Sequence, residues 1–274
     1  MIQLVAIDMD GTCLNKYSRI SKANLEALRR AKEAGILIVP TTGRALDCLP
    51  YQLREQSDLY SYVITSNGAV VRDVRLKKDI FRKCIPDYMA QYLLEECENE
   101  KVGVTAHVKN EYWIQGNALR LAGNVFFGKD VRSAKKVNNI HQVISDQGCS
   151  VEEIQLYFLP GAKQESIRTI LKRYPELNAA YTNLYVEIYS RGTSKGNALR
   201  QLAKMLHIDS SQIACIGDGE NDLSMFKEAG LKIAMANAVD VLKEQADYIV
   251  DCNQKDGVAQ AIDTYILNEK KVEE

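Results

Sequence analysis

The sequence predicts an α/β protein in which a parallel-sheet core is interrupted by an inserted α+β segment. Short, uniformly apolar runs alternate with amphipathic helical stretches near both ends of the chain. That pattern is typical of strands buried on both faces of a parallel sheet. The middle of the chain instead carries alternating β-branched and aromatic runs in adjacent pairs, which favours antiparallel strands. The length of 274 residues suits one large domain or two modest ones.

The first part of the core is predicted from strand and helix signals that follow one another closely. An apolar run that stops at acidic residues reads as a buried strand, and a serine before an amphipathic stretch is a candidate helix N-cap. In chain order, the predicted elements are a strand at 2–8, a helix capped by Ser21 and ending at Gly35, a strand at 36–39, a helix at about 45–56 and a strand at 62–65.

The C-terminal part repeats this order, whereas the middle does not. After Ser194, a second candidate N-cap, the predicted elements are a helix through 206, strands at 213–216, 231–235 and 248–250, and helices at about 221–228, 239–245 and 257–267, with a frayed tail at 268–274. In the middle they are strands at 102–108, 112–115, 154–159 and 184–189, with helices near 86–99 and 163–174. We therefore expect a core domain of residues 1–83 plus 190–274 and an inserted α+β domain of residues 84–189.

Composition excludes several classes of protein. Hydrophobic residues make up 46% of the chain, and 35 basic residues balance 36 acidic ones, which argues against disorder, nucleic-acid binding and an acidic membrane partner. No apolar run approaches the roughly 20 residues of a membrane span, and no signal-peptide pattern is visible. The seven cysteines are scattered without a CxxC pair, and the three histidines are isolated. Free thiols, no zinc site and a cytoplasmic location are expected.

The loop Asp8-Met9-Asp10-Gly11-Thr12 follows the first predicted strand directly. Residues i and i+2 of an extended chain point the same way, so both carboxylates are expected to face one spot. Two close carboxylates repel each other unless a cation or a shared proton intervenes, and Mg²⁺ is the natural hard cation for oxygen ligands. An ordinary acidic turn is the alternative for this motif taken alone.

Further loops follow other strands or begin helices, and the carboxyl ends of parallel strands converge on one edge of a sheet. Thr41-Thr42-Gly43-Arg44 combines a hydroxyl with backbone N–H groups before a predicted helix, which favours phosphate binding. The remaining loops are Ser194-Lys195-Gly196, Gly217-Asp218-Gly219-Glu220-Asn221-Asp222 and, as a possible fifth contributor, Ser66-Asn67-Gly68. Taken alone, each loop also fits an ordinary structural role as a helix cap, a turn or a solvated lysine.

In chain order the motifs are DxDGT, TGR, SKG and GDGxND. This set resembles the motifs of the haloacid dehalogenase superfamily of phosphatases. The particular segments TGR, SNGA, SKGNAL and GDGENDLSMF resemble those of its Cof-type branch, which has a large α/β cap. The resemblance covers essentially the whole chain. It implies a Rossmann-like parallel-sheet core with the inserted segment as a cap that governs substrate specificity.

The resemblance also implies a mechanism and a metal. Asp8 is expected to attack phosphorus and form a transient aspartyl-phosphate, and Asp10 to act as general acid and then as general base. Mg²⁺ is expected on the Asp8 carboxylate, the Asp10 backbone carbonyl and the Asp218 side chain, with Asp222 supporting the metal site. The phosphoryl oxygens are expected to be held by Met9 (through its backbone N–H), Thr42, Gly43, Lys195 and Asn221.

The implied function is a Mg²⁺-dependent phosphatase acting on small phosphate esters, with sugar phosphates and phosphorylated cofactors such as FMN or pyridoxal phosphate as leading candidates. A hexose-phosphate phosphomutase and a non-catalytic phospho-ligand binding or regulatory protein are the alternatives. Cys13 departs from the aliphatic residue usual after DGT and is interpreted as a packing substitution. The substrate, the oligomeric state and any substrate contact of Arg44 or Asn67 stay open. So does the choice among the candidate cap contacts Tyr112, Trp113, Asn117, Arg120, Tyr157 and Tyr185.

Overall fold

The structure, a computed structural model, describes residues 1–116 and 133–268. The chain divides into two compact units. The first is formed by Met1–Gly43, Pro50–Arg82 and Ser194–Glu274, and the second by Arg44–Leu49 and Lys83–Thr193. The candidate cap residues Asn117 and Arg120, and the predicted tail beyond Asn268, lie outside the described residues.

The first unit is built on an eight-stranded sheet in the order β14-β13-β12-β1-β2-β3-β4-β5. Its strands are β1 Leu4–Asp8, β2 Leu37–Thr41, β3 Tyr62–Thr65, β4 Val70–Asp73, β5 Lys78–Arg82, β12 Ile213–Gly217, β13 Leu231–Met235 and β14 Tyr248–Val250. Neighbours from β14 to β3 pair in parallel, whereas β3, β4 and β5 pair antiparallel. The β1, β2 and β12 strands are buried nearly throughout, as the uniformly apolar runs predict.

Side-chain caps fix where the two long helices of this unit begin. The helices are α1 Lys22–Glu33, α2 Tyr51–Glu55, α6 Lys195–Leu206, α7 Leu223–Phe226, α8 Asp240–Lys243 and α9 Gly257–Ala261, the last continuing as a π-helical turn over Ile262–Ile266. Ser21 accepts a hydrogen bond from the Asn24 backbone N–H, and Ser194 accepts one from that of Asn197. Both predicted N-caps are therefore confirmed.

The second unit is a six-stranded sheet in the order β10-β11-β9-β6-β7-β8. Its strands are β6 Val102–Val108, β7 Glu111–Gln115, β8 Lys135–Val137, β9 Val151–Phe158, β10 Leu177–Tyr181 and β11 Tyr185–Ser190, and its helices are α3 Asp87–Glu96, α4 Ile140–Gln147 and α5 Gln164–Leu171. The pairs are antiparallel except β7 with β8. Apolar side chains of the strands and helices form one buried core that includes Trp113.

The helix expected at 45–56 is instead two short pieces, which is a correction. A 3₁₀ turn covers Leu46–Cys48, and α2 begins only after Pro50. The residue before a proline is pushed out of the helical region, and Leu49 has an extended ψ of 147°. The 3₁₀ turn belongs to the second unit, where both oxygens of Asp47 accept a hydrogen bond from the Tyr112 backbone N–H at 3.1 Å.

Candidate active site

The carboxyl ends of the adjacent strands β12, β1 and β2 bring the motifs DxDGT, TGR and GDGxND together. In the parallel register, Asp8 at the end of β1 lies opposite Thr41 at the end of β2. On the other side of β1, Ile7 lies opposite Ile216, one residue before β12 ends at Gly217. Parallel strands therefore deliver the motif loops to one edge of the sheet, as expected.

Lys195 is buried between two carboxylates. Its side chain is 1% exposed, and its Nζ donates to Asp8 Oδ1 at 2.5 Å and to Asp222 Oδ1 at 2.7 Å. Burial opposes the charged ammonium, but the Asp222 and Asp8 carboxylates outweigh it and raise the pKa of Lys195. A lysine in the first turn of a helix, where the dipole disfavours a cation, thus has two anionic partners.

Asp222 is occupied by partners on both of its oxygens. Besides the Lys195 contact on Oδ1, its Oδ2 accepts hydrogen bonds from the backbone N–H groups of Asp218 and Gly219 at 2.9 and 3.0 Å. A Cβ at Gly217 would collide with the Asp222 side chain, so only glycine fits there. Asp222 therefore fixes the shape of the loop after β12 and orients Lys195.

Asp218 is held by donors on each side of its carboxylate. Thr12 Oγ1 donates to Oδ1 at 2.8 Å, and Asn237 Nδ2 donates to Oδ2 at 3.3 Å. A Cβ at Gly11, whose φ is +88°, would run into the same carboxylate. Burial raises the pKa of Asp218, and the Thr12 hydrogen bond opposes that rise.

The carboxylates of Asp8, Asp218 and Asp222 form a cluster whose oxygens can fit a divalent cation. One ligand oxygen from each lies within 4.8 Å of the others. Asp8 Oδ2 is buried and has no hydrogen-bond partner within the described residues. Burial first, and then Asp222, raise the pKa of Asp8 well above its usual value, although Lys195 opposes them. A buried, unpartnered carboxylate oxygen beside a second carboxylate is what a hard cation would relieve.

Asp8 ends β1 and Asp10 lies two residues beyond it, and their side chains differ in exposure. Asp8 is buried and Asp10 is exposed, and the acidic cluster contains Asp8 but not Asp10. The reason is local: the Thr12 and Leu14 backbone N–H groups both bond back to the Met9 carbonyl. The chain therefore turns at Met9, and the two-residue alternation of a strand no longer applies.

The predicted phosphate-binding residues Thr42, Gly43 and Asn221 meet around Asn67. The Asn67 backbone N–H donates to the Thr42 carbonyl at 3.1 Å, and its Oδ1 accepts from Asn221 Nδ2 at 3.2 Å. A Cβ at Gly43 would approach the Asn67 amide to 3.1 Å. No helix starts directly after Gly43, so the predicted helix N-terminus is absent from this loop. Arg44 belongs to the second unit, where it donates to the Cys48 carbonyl.

The structure shows the burial and the contacts of several residues whose roles the sequence does not decide. Cys13 is buried, which raises the pKa of its thiol to about 12, in keeping with a packing role. Burial lowers the pKa of His107 to about 3. Trp113 packs in the core of the second unit, whereas Tyr112 and Tyr157 share hydrogen bonds with Gln155 on the other face of the sheet. The rings of Tyr185 and Tyr157 lie with their centroids 5.0 Å apart and their planes tilted by 35°.

The sequence did not identify Asn237 as a site residue, and it did not indicate that Thr12 donates a hydrogen bond to Asp218. Asn237 follows β13 and Asn253 follows β14, so the rule that ligands gather beyond the carboxyl ends of parallel strands could have found both. The loops that follow β13 and β14 carry no recognisable motif, so the motifs alone do not identify them.

A sequence model of the haloacid dehalogenase-like hydrolases matches residues 5–262. This chain therefore belongs to the haloacid dehalogenase-like hydrolase family, and it is a phosphatase, a hydrolase of phosphoric monoesters. It is 31% identical over 268 residues to the 5-amino-6-(5-phospho-D-ribitylamino)uracil phosphatase YcsE of Bacillus subtilis, covering 97% of this chain and 96% of that one.

Solved structures share the fold over the whole chain. A haloacid dehalogenase-like hydrolase from B. subtilis superposes with a TM-score of 0.83 at 27% identity, covering 97% of this chain and 100% of that one. The subclass IIB sugar phosphatase BT4131 has a TM-score of 0.79 at 21% identity, over 96% of this chain and 98% of that one. The expected fold class and family are confirmed. Within the described part of the chain, no helix has the length and apolar character needed to cross a membrane.

Proposed function

We propose that this protein is a Mg²⁺-dependent phosphatase that hydrolyses small phosphorylated metabolites through a phosphoryl group carried on Asp8. The observation that supports it best is the asymmetry of the Asp8 carboxylate. Oδ1 is bound by Lys195 at 2.5 Å, and Oδ2 is buried without a hydrogen-bond partner in the described residues. A carboxylate that is oriented through one oxygen, and whose other oxygen has no hydrogen bond from a described residue, is suited to act as a nucleophile.

The reaction proceeds in two displacements at phosphorus. An oxygen of Asp8 bonds to phosphorus while the bond from phosphorus to the ester oxygen breaks, and Asp10 donates a proton to that leaving oxygen. Water then loses a proton to Asp10 and attacks phosphorus, which breaks the bond to Asp8 and yields inorganic phosphate. The exposure of Asp10 suits a residue that exchanges protons with a leaving group and with water.

Charge compensation comes from Lys195 and from a cation held by Asp8, Asp218 and the Asp10 carbonyl. When bound, Mg²⁺ offsets the repulsion between the Asp8 carboxylate and the phosphate dianion. Asp222 supports the site by holding Lys195 and the loop that carries Asp218. Thr42, Gly43, Asn221 and the Met9 N–H hold the phosphoryl oxygens. Phosphoryl transfer depends on such positioning and electrostatics.

We assign substrate selection to the second unit, the cap of the proposed enzyme. One face of its sheet carries a hydrogen-bonded set of polar groups, in which Gln155 Oε1 accepts from Thr105, Tyr112 and Tyr157 at 3.0 to 3.2 Å. These groups are largely buried and bonded to one another, and they fix this face of the sheet. The leaving group that we propose is rich in hydroxyls, such as a sugar or sugar-alcohol phosphate. The similarity to ribitylaminouracil phosphatases points to the same class of ester.

Phosphate release tests this proposal over a panel of sugar phosphates, nucleotides, FMN, pyridoxal phosphate and 5-amino-6-(5-phospho-D-ribitylamino)uracil, with Mg²⁺ or with EDTA. Asp8→Asn is run beside Asp58→Asn, a control at an aspartate whose side chain is 81% exposed. We expect turnover that requires Mg²⁺, is lost in Asp8→Asn and is retained in the control. Full activity in Asp8→Asn would contradict the nucleophile. No release from any compound would contradict the hydrolase and leave the phosphomutase and the binding protein.

A further inference from the structure

The loops after the last two parallel strands converge beside Asp218. Asn237 lies two residues beyond the end of β13 and Asn253 three residues beyond the end of β14. Neither belongs to a motif that carries the proposed chemistry. Their amides nevertheless connect the Asp218 carboxylate to the loop that follows Asp8.

The contacts of Asn237 fix the orientation of its amide. Its Oδ1 accepts the Asn253 backbone N–H at 3.0 Å, so its NH₂ group must point the other way. There Nδ2 donates to the Gly11 carbonyl at 2.8 Å and to Asp218 Oδ2 at 3.3 Å. Since an N–H group can only donate and a carbonyl oxygen can only accept, the reversed amide would leave both ends mismatched.

Asn253 is itself anchored on the loop after β1. Its Nδ2 donates to the Leu14 carbonyl at 2.8 Å, and nearby the Asp251 backbone N–H is held by the Gln260 side chain at 2.7 Å. The two asparagines therefore form a relay that runs from the Leu14 carbonyl through Asn253 and Asn237 to Asp218.

The relay completes the restraint of the Asp218 carboxylate. Thr12 donates to Oδ1 and Asn237 to Oδ2, so rotation of the carboxylate breaks a hydrogen bond on either side. Each oxygen keeps a lone pair for a cation. Groups that hydrogen-bond a metal-binding carboxylate set its orientation, and losing one typically lowers metal affinity about 10- to 100-fold.

We propose that Asn237 is a positioning residue that presents Asp218 to the divalent cation, with Asn253 fixing the direction of its amide. This inference rests on the proposed function, because it takes Asp218 as a cation ligand. A purely structural role is a poor alternative: Asn237 is exposed, so water replaces its hydrogen bonds when it is truncated and little stability is lost.

The test is the Mg²⁺ dissociation constant of the metal-free protein, measured by calorimetric titration, together with the metal-free melting temperature. Asn237→Ala should weaken Mg²⁺ binding about 10-fold or more, with a nearly unchanged melting temperature. Thr12→Val, which removes the donor to the other oxygen of Asp218, should weaken it as well, and the double variant should weaken it further.

Asn24→Ala is the matched control. Asn24 is also an amide that joins the loop after β1 to a C-terminal segment, through Cys13 O at 3.5 Å and the Ala259 N–H at 2.9 Å, and it is 1% exposed. We expect it to lower the melting temperature and leave Mg²⁺ affinity unchanged. Wild-type affinity in Asn237→Ala would overturn the positioning role alone. Absence of Mg²⁺ binding by the wild type would overturn the proposed metal site as well.

Discussion

Replacing Lys195 by methionine removes the positive charge from between two buried carboxylates while keeping a side chain of similar length. Lys195 is 1% exposed and its partners Asp8 and Asp222 are 5% and 0% exposed. Removing one member of a buried ion pair destabilises a protein by about 3–5 kcal/mol, because the partner charge stays buried without compensation. We expect a loss in that range near neutral pH, together with a fall in phosphatase activity of about 10²- to 10³-fold.

The loss should depend on pH in a defined direction. Lys195 lowers the pKa of Asp8, so in Lys195→Met the Asp8 carboxyl holds its proton to still higher pH. A carboxyl group whose pKa is raised in the folded protein binds more protons there than in the unfolded chain, so stability falls as pH rises. The difference between the variant and the wild type should therefore be larger at about pH 7.5 than at about pH 5.

Urea unfolding in EDTA at those two pH values measures both effects. Lys204→Met is the matched control, because Lys204 is exposed on the same helix, and its cost should stay within about 0.5 kcal/mol. Asp222→Asn in the Lys195→Met background should recover part of the loss by removing one uncompensated charge. A Lys195→Met protein as stable as the wild type at both pH values would refute this reasoning.

Two further predictions concern the stability of each unit. Burial lowers the pKa of His107 to about 3, so the unfolded state binds the extra proton below about pH 6.5 and stability falls on acidification. Between pH 7 and pH 5, the free energy of unfolding measured in urea should therefore fall by about 2 kcal/mol less in His107→Gln than in the wild type. Equal falls in the two proteins would contradict this. Gly68 has a φ of +97° and lies against the Ser194 carbonyl. Gly68→Ala should cost more than about 1 kcal/mol, and an unchanged melting temperature would exclude that strain.

The parallel half of the fold is predictable from sequence because its signals are local. Buried strands read as short apolar runs, and Ser21 and Ser194 start their helices through hydrogen bonds to residues three positions on. The hairpin of β4 and β5 was not predicted. Both strands mix apolar residues with charged ones, and the tight turn before them contains three consecutive residues with positive φ, Ser66, Asn67 and Gly68.

The sequence predicts which residues form the candidate site better than it predicts how their side chains are arranged. Three of the four motif loops follow the ends of parallel strands, so the convergence of those three follows from topology alone. The exposure of Asp10 could not be foreseen, because it depends on a backbone turn at Met9 that periodicity does not encode. The strand-end rule points to the loop that carries Asn237 but not to its contact with Gly11, because the two residues are 226 positions apart in sequence.

The central claim is that a phosphoryl group passes through Asp8, and direct detection of that group tests it best. Asp10→Asn should slow hydrolysis of the acyl-phosphate by removing the general base, whereas p-nitrophenyl phosphate, whose leaving group needs no general acid, should still phosphorylate Asp8. Rapid acid quench with this substrate and Mg²⁺ should therefore leave phosphoryl-protein. Peptide mass spectrometry should locate the added mass on the peptide that contains Asp8, and Asp8→Asn should lack it. A phosphoryl group on another residue, or none while the wild type turns over, would contradict the account.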